Sequence, residues 1–236
     1  MWRIIGVFEV ETPNGDGTYT RENKVKIVRD SIGKVAWNAT KSATNYNDWT
    51  TSTLMNTLNS ADYYNRTGTY ASNGLTDNAK NQISSTKWYL GNVVYSSGFG
   101  NTKEVYTQER STSVHNGNKQ TWDGKVALIY PSDYMYASSA CYNDDTMKGS
   151  SHDLSKEYRS ETCKSTNWLL DTNNWFWAVS PSSNNSDYAV PVLDDGGVGY
   201  GSTFISVGGL RQSVYLDTNV NYVSGDGTSD NPFVIE

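Results

Sequence analysis

Aromatic residues must build much of the core of this chain, because aliphatic ones are too few to do so. Hydrophobic residues fill 36% of its 236 positions, below the roughly 45–50% usual for globular chains, a figure that also counts glycine. Yet 8 Trp, 17 Tyr and 5 Phe bring the aromatic share to 13%, and disordered chains are poor in aromatics. A folded domain with a ring-built interior follows. The rings run from Trp2 to Phe233 without a gap, and no Pro-, Gly- or Ser-rich linker divides two core-forming halves. Residues 1–236 therefore read as one domain, inside the usual range of about 50–250 residues.

A net charge of −6, with acids and bases interspersed, leaves no basic stripe for a phosphate backbone and argues against nucleic acid as a partner. No apolar run approaches the roughly 18 residues that span a bilayer, and the start lacks a signal-peptide pattern. Met1 stands directly before Trp2-Arg3-Ile4-Ile5-Gly6-Val7-Phe8, which reads as a strand already under way. The expectation is a domain cut from a longer parent protein whose missing sequence pairs with this strand.

Trp2 to Val10 and Lys24 to Asp30 are strand-like and joined by TPNGDGTYTREN, which predicts a hairpin with a long loop. Leu54, Met55 and Leu58 recur at helical spacing after the caps Thr50 and Ser52, and Leu75, Ala79 and Ile83 do so after Thr76, which predicts two helices. The segment around Val105 and Tyr106 has no clear pattern. Trp88-Tyr89-Leu90-Gly91 reads as buried. Lys125 to Tyr130 is a core strand that Pro131-Ser132-Asp133 breaks into a turn. Short strands are expected at Trp175–Ser180, Tyr188–Leu193, Phe204–Val207 and Gln212–Leu216, and a turn cluster, Ser224 to Phe233, precedes a final one. The fold class is α+β: two or more helices against a small, loop-rich, mostly antiparallel sheet.

A search for chemistry returns little. His115 and His152 sit in polar loops with no evident partner for acid–base work. There is no nucleophile elbow or P-loop, and Gly196, Gly197, Gly199 and Gly201 suit a tight turn better than a dinucleotide fingerprint. Asp144-Asp145, Asp194-Asp195 and Asp226 offer oxygens that calcium accepts, but not the spaced pattern of a dedicated calcium loop. No metal ligand set or cofactor is assigned, calcium remaining open. Cys141 and Cys163 lie in a polar segment where a disulfide would staple a loop, consistent with export.

From Asn167 to Leu216, aromatic, Asn, Ser and Gly residues are interleaved. Tyr and Trp give rigid contact area at small entropic cost, and the short polar residues give adaptable hydrogen bonds, as in binding loops generally. In Trp175-Phe176-Trp177 the two tryptophans share one face of a strand, either core or a platform for a sugar ring or cation. The expected ligand contacts are Trp175, Trp177, Asn184, Asn185, Asp187, Tyr188, Tyr200 and Ser202.

An ordered series of motifs runs through Trp2-Arg3-Ile4-Ile5-Gly6, Asn47-Asp48-Trp49, Tyr63-Tyr64-Asn65, Trp88-Tyr89-Leu90-Gly91, Tyr130-Pro131-Ser132-Asp133-Tyr134, Asn167-Trp168-Leu169, Ser180-Pro181 and Tyr215-Leu216. It resembles an uncharacterised domain family in surface proteins of gut Firmicutes and Mollicutes, often attached to a prepilin-like amino-terminal segment. The carboxy-terminal part is similar to the C-type-lectin-like fold shared with formylglycine-generating enzymes and retroelement variable proteins. Arg211-Gln212-Ser213 departs from the usual R-P-V there. The cysteines fall earlier than the pair those enzymes use, so oxidase activity is not carried over. The resemblance implies an extracellular, cell-surface, C-type-lectin-like module that is not an enzyme and binds a glycan or protein on another cell. A structural pilus-tip or stalk module and a carbohydrate-active enzyme stand as alternatives.

Overall fold

A computed structural model of the chain describes residues 1–40, 46–93, 102–114, 117–142, 159–183 and 185–236, with backbone alone at 141–142. The strands are β1 (Trp2–Pro13), β2 (Tyr19–Arg29), β3 (Lys34–Ala36), β4 (Thr86–Tyr89), β5 (Thr121–Gly124), β6 (Val126–Leu128) and β7 (Phe176–Pro181). They continue as β8 (Tyr188–Val192), β9 (Gly201–Ser202), β10 (Val207–Gly209), β11 (Gln212–Tyr215), β12 (Tyr222–Ser224) and β13 (Val234–Ile235). The helices are α1 (Thr53–Asn59), α2 (Asp62–Asn65), α3 (Asp77–Gln82), α4 (Thr102–Glu109), α5 (Pro131–Tyr136), α6 (Ser139–Tyr142) and α7 (Glu161–Thr166).

The fold is mixed α+β. One sheet has the order β1-β2-β11-β6 and a second β3-β10-β7-β8-β9, with β4–β5 and β12–β13 as two-stranded ribbons. Among the described residues the named strands pair antiparallel except β10 with β7, which meet in parallel at Gly209 and Phe176. The expected single small sheet is thus two sheets joined through the core.

Local chemistry sets several boundaries. The β1–β2 ladder runs from Trp2 opposite Arg29 to Pro13 opposite Tyr19, so the long loop expected there shrinks to residues 14–18. Gly15 and Gly17 take φ of 85° and 87° in that turn, where a side chain would be strained, and the Asp16 carboxylate accepts from the Thr18 amide and hydroxyl. Ser52 caps α1 by accepting from Met55 N–H at 3.0 Å, and Thr76 caps α3 through Ala79 N–H at 3.1 Å, as their spacing predicts. Pro131 does not open a turn. It takes the first position of α5, where its missing N–H costs nothing.

The strand expected at Phe204–Val207 is displaced: pairing occurs at Gly201–Ser202 and Val207–Gly209 instead. The physical reason is the ring of Trp175, which lies so close to Gly208 that a Cβ there would sit 2.2 Å from it. Glycines, rather than the apolar run before them, let β10 come up against β7.

Strand β7 is buried on both faces and separates two apolar clusters. Trp177 faces the larger, with Trp37, Trp49, Trp88, Leu54 and Leu58, while Phe176 faces the smaller, with Tyr134, Met135, Leu169 and Val190. Five tryptophans run through the first in edge-to-face contact: Trp122 to Trp49 at 6.0 Å, Trp49 to Trp37 at 5.4 Å, Trp37 to Trp177 at 5.8 Å and Trp177 to Trp175 at 4.9 Å. Such pairs add about 0.5–1.5 kcal/mol each beyond the area they bury. The aromatic core that composition demands is this array.

Candidate functional site

The residues expected to form a ligand face divide between surface and interior. Trp177 is fully buried, and its indole Nε1 donates to the Val35 carbonyl at 2.9 Å. It also packs beneath Gly201, where an added Cβ would meet its ring at 2.7 Å. The expectation of Trp177 as a ligand contact is therefore corrected: the ring has no free face. Trp175 is half-buried against Trp177 and Gly208 and belongs to the same packing. Tyr200 is half-buried, with its hydroxyl donating to Val93 O at 3.2 Å. Asn184 lies outside the described residues.

Asn185, Asp187, Tyr188 and Ser202 do come together, along the outer edge of the second sheet. Tyr188 pairs with Ser202 in the β8–β9 ladder, and Asp187 N–H donates to Asn185 Oδ1 at 2.8 Å. Buried Asn47 holds this edge from below. Its Nδ2 lies 2.9–3.1 Å from the carbonyls of Ser182, Asn185 and Tyr188, and its Oδ1 accepts from Asn118 Nδ2 at 2.8 Å. Tyr188, 38% exposed, is the aromatic group this edge offers to solvent.

A concavity of about 920 Å³ opens elsewhere, between the β1–β2 hairpin and the β12–β13 ribbon. Leu216 N–H bonds to Val25 O, Asp217 N–H to Gln82 O, and Gln82 Nε2 to Ile235 O. Those bonds turn the chain after β11 so that the ribbon stands against the hairpin. Trp2, Ile4, Ile27, Tyr222, Phe233 and Ile235 form the apolar walls, and Asn23, Asp217, Thr218, Thr228 and Ser229 the polar margin. Tyr222 is 65% exposed and Phe233 49%, with their rings in edge contact at 6.0 Å. Gly225 and Gly227, both at positive φ, make the tight return between the two strands.

A smaller cleft of about 250 Å³ is charged and aromatic, lined among others by Glu11, Lys87, Tyr89, Tyr106, Arg110 and Tyr130. Arg110 is layered between Tyr106 at 3.7 Å and Tyr130 at 4.5 Å and pairs with Glu109 at 3.0 Å. Lys87 and the Tyr89 hydroxyl each reach Glu11 at 2.8 Å, and the Lys87 bond is the main cause holding the Glu11 carboxyl below its ordinary range. Lys87 and Arg110 are thus already engaged, as is Arg21 by Glu9 at 3.5 Å.

Among the groups that line this cleft, Phe8, Tyr130 and Tyr215 also form, with Trp88, a closed cage around Lys26. The ammonium lies 4.5–5.7 Å from the four ring centroids and 2.5 Å from Asp133 Oδ2, with neither side chain meaningfully exposed. Burial pushes the Lys26 amine down, against the pull of Asp133. Glu109, at the end of α4, is also fully buried. It accepts from Ser132 N–H at 2.7 Å and Ser132 Oγ at 2.5 Å, and burial raises its carboxyl to about 7.

The remaining expectations fall as follows. Cys163 is disulfide-bonded; Cys141, described by its backbone alone, lies in α6. His115, His152 and Asp144-Asp145 lie outside the described residues. Asp195 is engaged by Arg159 and by Gly197 N–H, and Asp226 by the Thr228 hydroxyl and amide, which hold its carboxyl low. Among the described residues no group of three or more His, Cys, Asp or Glu side chains is placed to hold a metal, and no helix is long and apolar enough to cross a membrane.

Sequence reasoning missed Lys26, Glu109 and Asp133. The signal was strand parity: Lys24, Lys26 and Val28 alternate on one face of β2, and Val28 is core. No family model matches the chain, and neither a curated protein nor a solved structure does.

Proposed function

We propose that this chain is an exported, non-enzymatic recognition domain that takes a glycan or protein ligand in the groove between the β1–β2 hairpin and the β12–β13 ribbon. The observation that carries the reading is the groove itself: a concavity of about 920 Å³ in which Trp2, Tyr222 and Phe233 supply ring faces. Ligand sites are generally concave and largely apolar, with a few polar groups to fix orientation. Asn23, Asp217, Thr228 and Ser229 are such groups. A C-type-lectin-like architecture belongs to the same proposal; it rests on the motif resemblance, and a mixed α+β, mostly antiparallel frame is compatible with it. The bonded Cys163 supports export, since disulfides persist in oxidising compartments.

The test is a glycan and protein array probed with the purified domain, with and without calcium, beside a Tyr222→Ala/Phe233→Ala variant and a Tyr188→Ala variant. Saturable binding lost only in the first variant is the expected result. Loss only in Tyr188→Ala would move the ligand to the β8–β9 edge, and silence of the folded wild type would remove the recognition reading.

A second reading, a structural stalk module, draws on β1. This strand is the outer one of its sheet and leaves Ile4 and Val7 51% and 65% exposed, and a long apolar edge invites pairing with another chain. A silent array together with concentration-dependent association lost on Val7→Lys would favour it.

A further inference from the structure

We propose that Lys26 and Asp133 are the two halves of an intramolecular amide cross-link that the fold forms by itself, joining β2 to the start of α5. Lys26 Nζ lies 2.5 Å from Asp133 Oδ2, the lysine side chain is 0% and the aspartate side chain 2% exposed, and the pair bridges 107 positions of sequence. Four rings, Phe8, Trp88, Tyr130 and Tyr215, close around the nitrogen at 4.5–5.7 Å. A charged pair in such surroundings loses its hydration and recovers only part of that cost from mutual attraction. The uncharged pair, amine beside carboxylic acid, holds the same number of protons and needs only one proton to move along the existing hydrogen bond.

That uncharged pair is reactive. A desolvated lysine is a nucleophile, and burial does lower the basicity of Lys26. Asp133 Oδ2 also accepts the Tyr130 N–H at 2.8 Å, a fixed backbone donor that holds the carboxyl group in place against the amine. The two groups are held in contact by separate elements of the fold, which replaces a bimolecular encounter with an intramolecular one. The ring cage keeps bulk water from the site.

The step balances without any co-reactant. A proton passes from the ammonium to the carboxylate, leaving an amine and a carboxylic acid. The nitrogen lone pair then forms a bond to Cγ, giving a tetrahedral carbon. The bond from Cγ to one carboxyl oxygen breaks, and that oxygen leaves as water with the acid proton and one proton from nitrogen. The product is a secondary amide, nothing is oxidised or reduced, and two buried charges disappear.

Glu109 is the positioning residue. It grips Ser132, the neighbour of Asp133, through both the amide and the hydroxyl, and its carboxyl acts electrostatically on Lys26 and on Asp133. With its carboxyl raised to about 7 by burial, it carries only part of a negative charge near neutral pH and so favours Lys26 as an ammonium less than an ordinary carboxylate would.

Mass spectrometry of the whole chain, reduced and denatured, tests the proposal without any variant. The expected result is a mass lower than that of the sequence by one water, with a tryptic peptide running uncut through Lys26 and joined to the peptide that carries Asp133. A full sequence mass with separate Lys26 and Asp133 peptides overturns it. So does a water loss without the joined peptide, as ring closure at Asp16-Gly17 would give. Lys26→Arg and Asp133→Ala should each restore the full mass for their sequence. Glu109→Gln, checked for a native near-ultraviolet spectrum, should leave a several-fold larger unlinked fraction that Glu109→Asp partly restores; complete linkage in folded Glu109→Gln would remove Glu109 from the scheme.

Discussion

The tryptophan array of the core and the aromatic ribbon at the carboxy-terminal end use the same kind of contact and end in opposite surroundings. Trp37, Trp49 and Trp177 touch edge to face and are fully buried. Tyr222 and Phe233 also touch edge to face, at 6.0 Å, yet both keep about half or more of their surface in solvent. Ring content alone does not distinguish a core from a binding wall. The difference lies in what covers the second face: β7 lies between two clusters, whereas β12–β13 faces the hairpin across an open groove and contributes to neither cluster.

The strongest way to break this comparison is at its buried end. Trp177→Ala deletes contacts to Trp37 and Trp175 and leaves the Val35 carbonyl without its indole donor. Large aromatic-to-alanine changes in a core cost about 3–5 kcal/mol, so the urea midpoint should fall steeply or the domain should fail to fold. A stable Trp177→Ala protein would mean that the array is not the core it resembles.

Much of that array is legible in sequence, and the reasons are physical. Scarce aliphatics force rings inward, and the i, i+2 parity of Trp175 and Trp177 places them on one face, as found. The caps Ser52 and Thr76 announce α1 and α3 because their side chains bond the backbone locally. Helix α4 was not legible: Val105 is its only buried aliphatic, and its other buried members are Thr102 and Glu109, so no apolar stripe marks it. Lys26 was illegible for a related reason. A lysine is read as solvent-facing unless its partner is known, and Asp133 is 107 positions away. The expected ligand face failed at Trp177 because a platform and a core strand have the same sequence; only the burial of both faces of β7 separates them.

A second, intermediate effect sharpens the contrast by adding pH. The Glu109 carboxyl is raised from its ordinary 4.5 to about 7, chiefly by burial. The folded chain therefore keeps a proton that the unfolded chain has already released, and stability is greatest below the ordinary value. It falls as pH rises from about 4.5 to about 7, by on the order of 3 kcal/mol in all. Glu109→Gln cannot titrate, so its urea midpoint should change much less than that of wild type between about pH 5 and about pH 8. An equal slope in both proteins would mean that Glu109 is not the group responsible. Variants at Tyr222 and Phe233 leave Glu109 and its burial in place and should retain the wild-type slope.

The smallest stability effect is expected at the exposed end, from Phe233→Ala. Its ring packs on Tyr222 and over Gly227, where an added Cβ would approach it to 2.6 Å, so the change loosens the return between β12 and β13. It opens no cavity in either buried cluster, since Phe233 belongs to neither. Surface substitutions of this kind usually stay within about 0.5 kcal/mol, and the lost ring pair adds about as much again. The melting temperature should move little while amide exchange quickens in residues 222–235. A loss as large as that of Trp177→Ala would show that the ribbon is a third part of the core, and the groove would then be a seam between packed elements, with no wall left to offer a ligand.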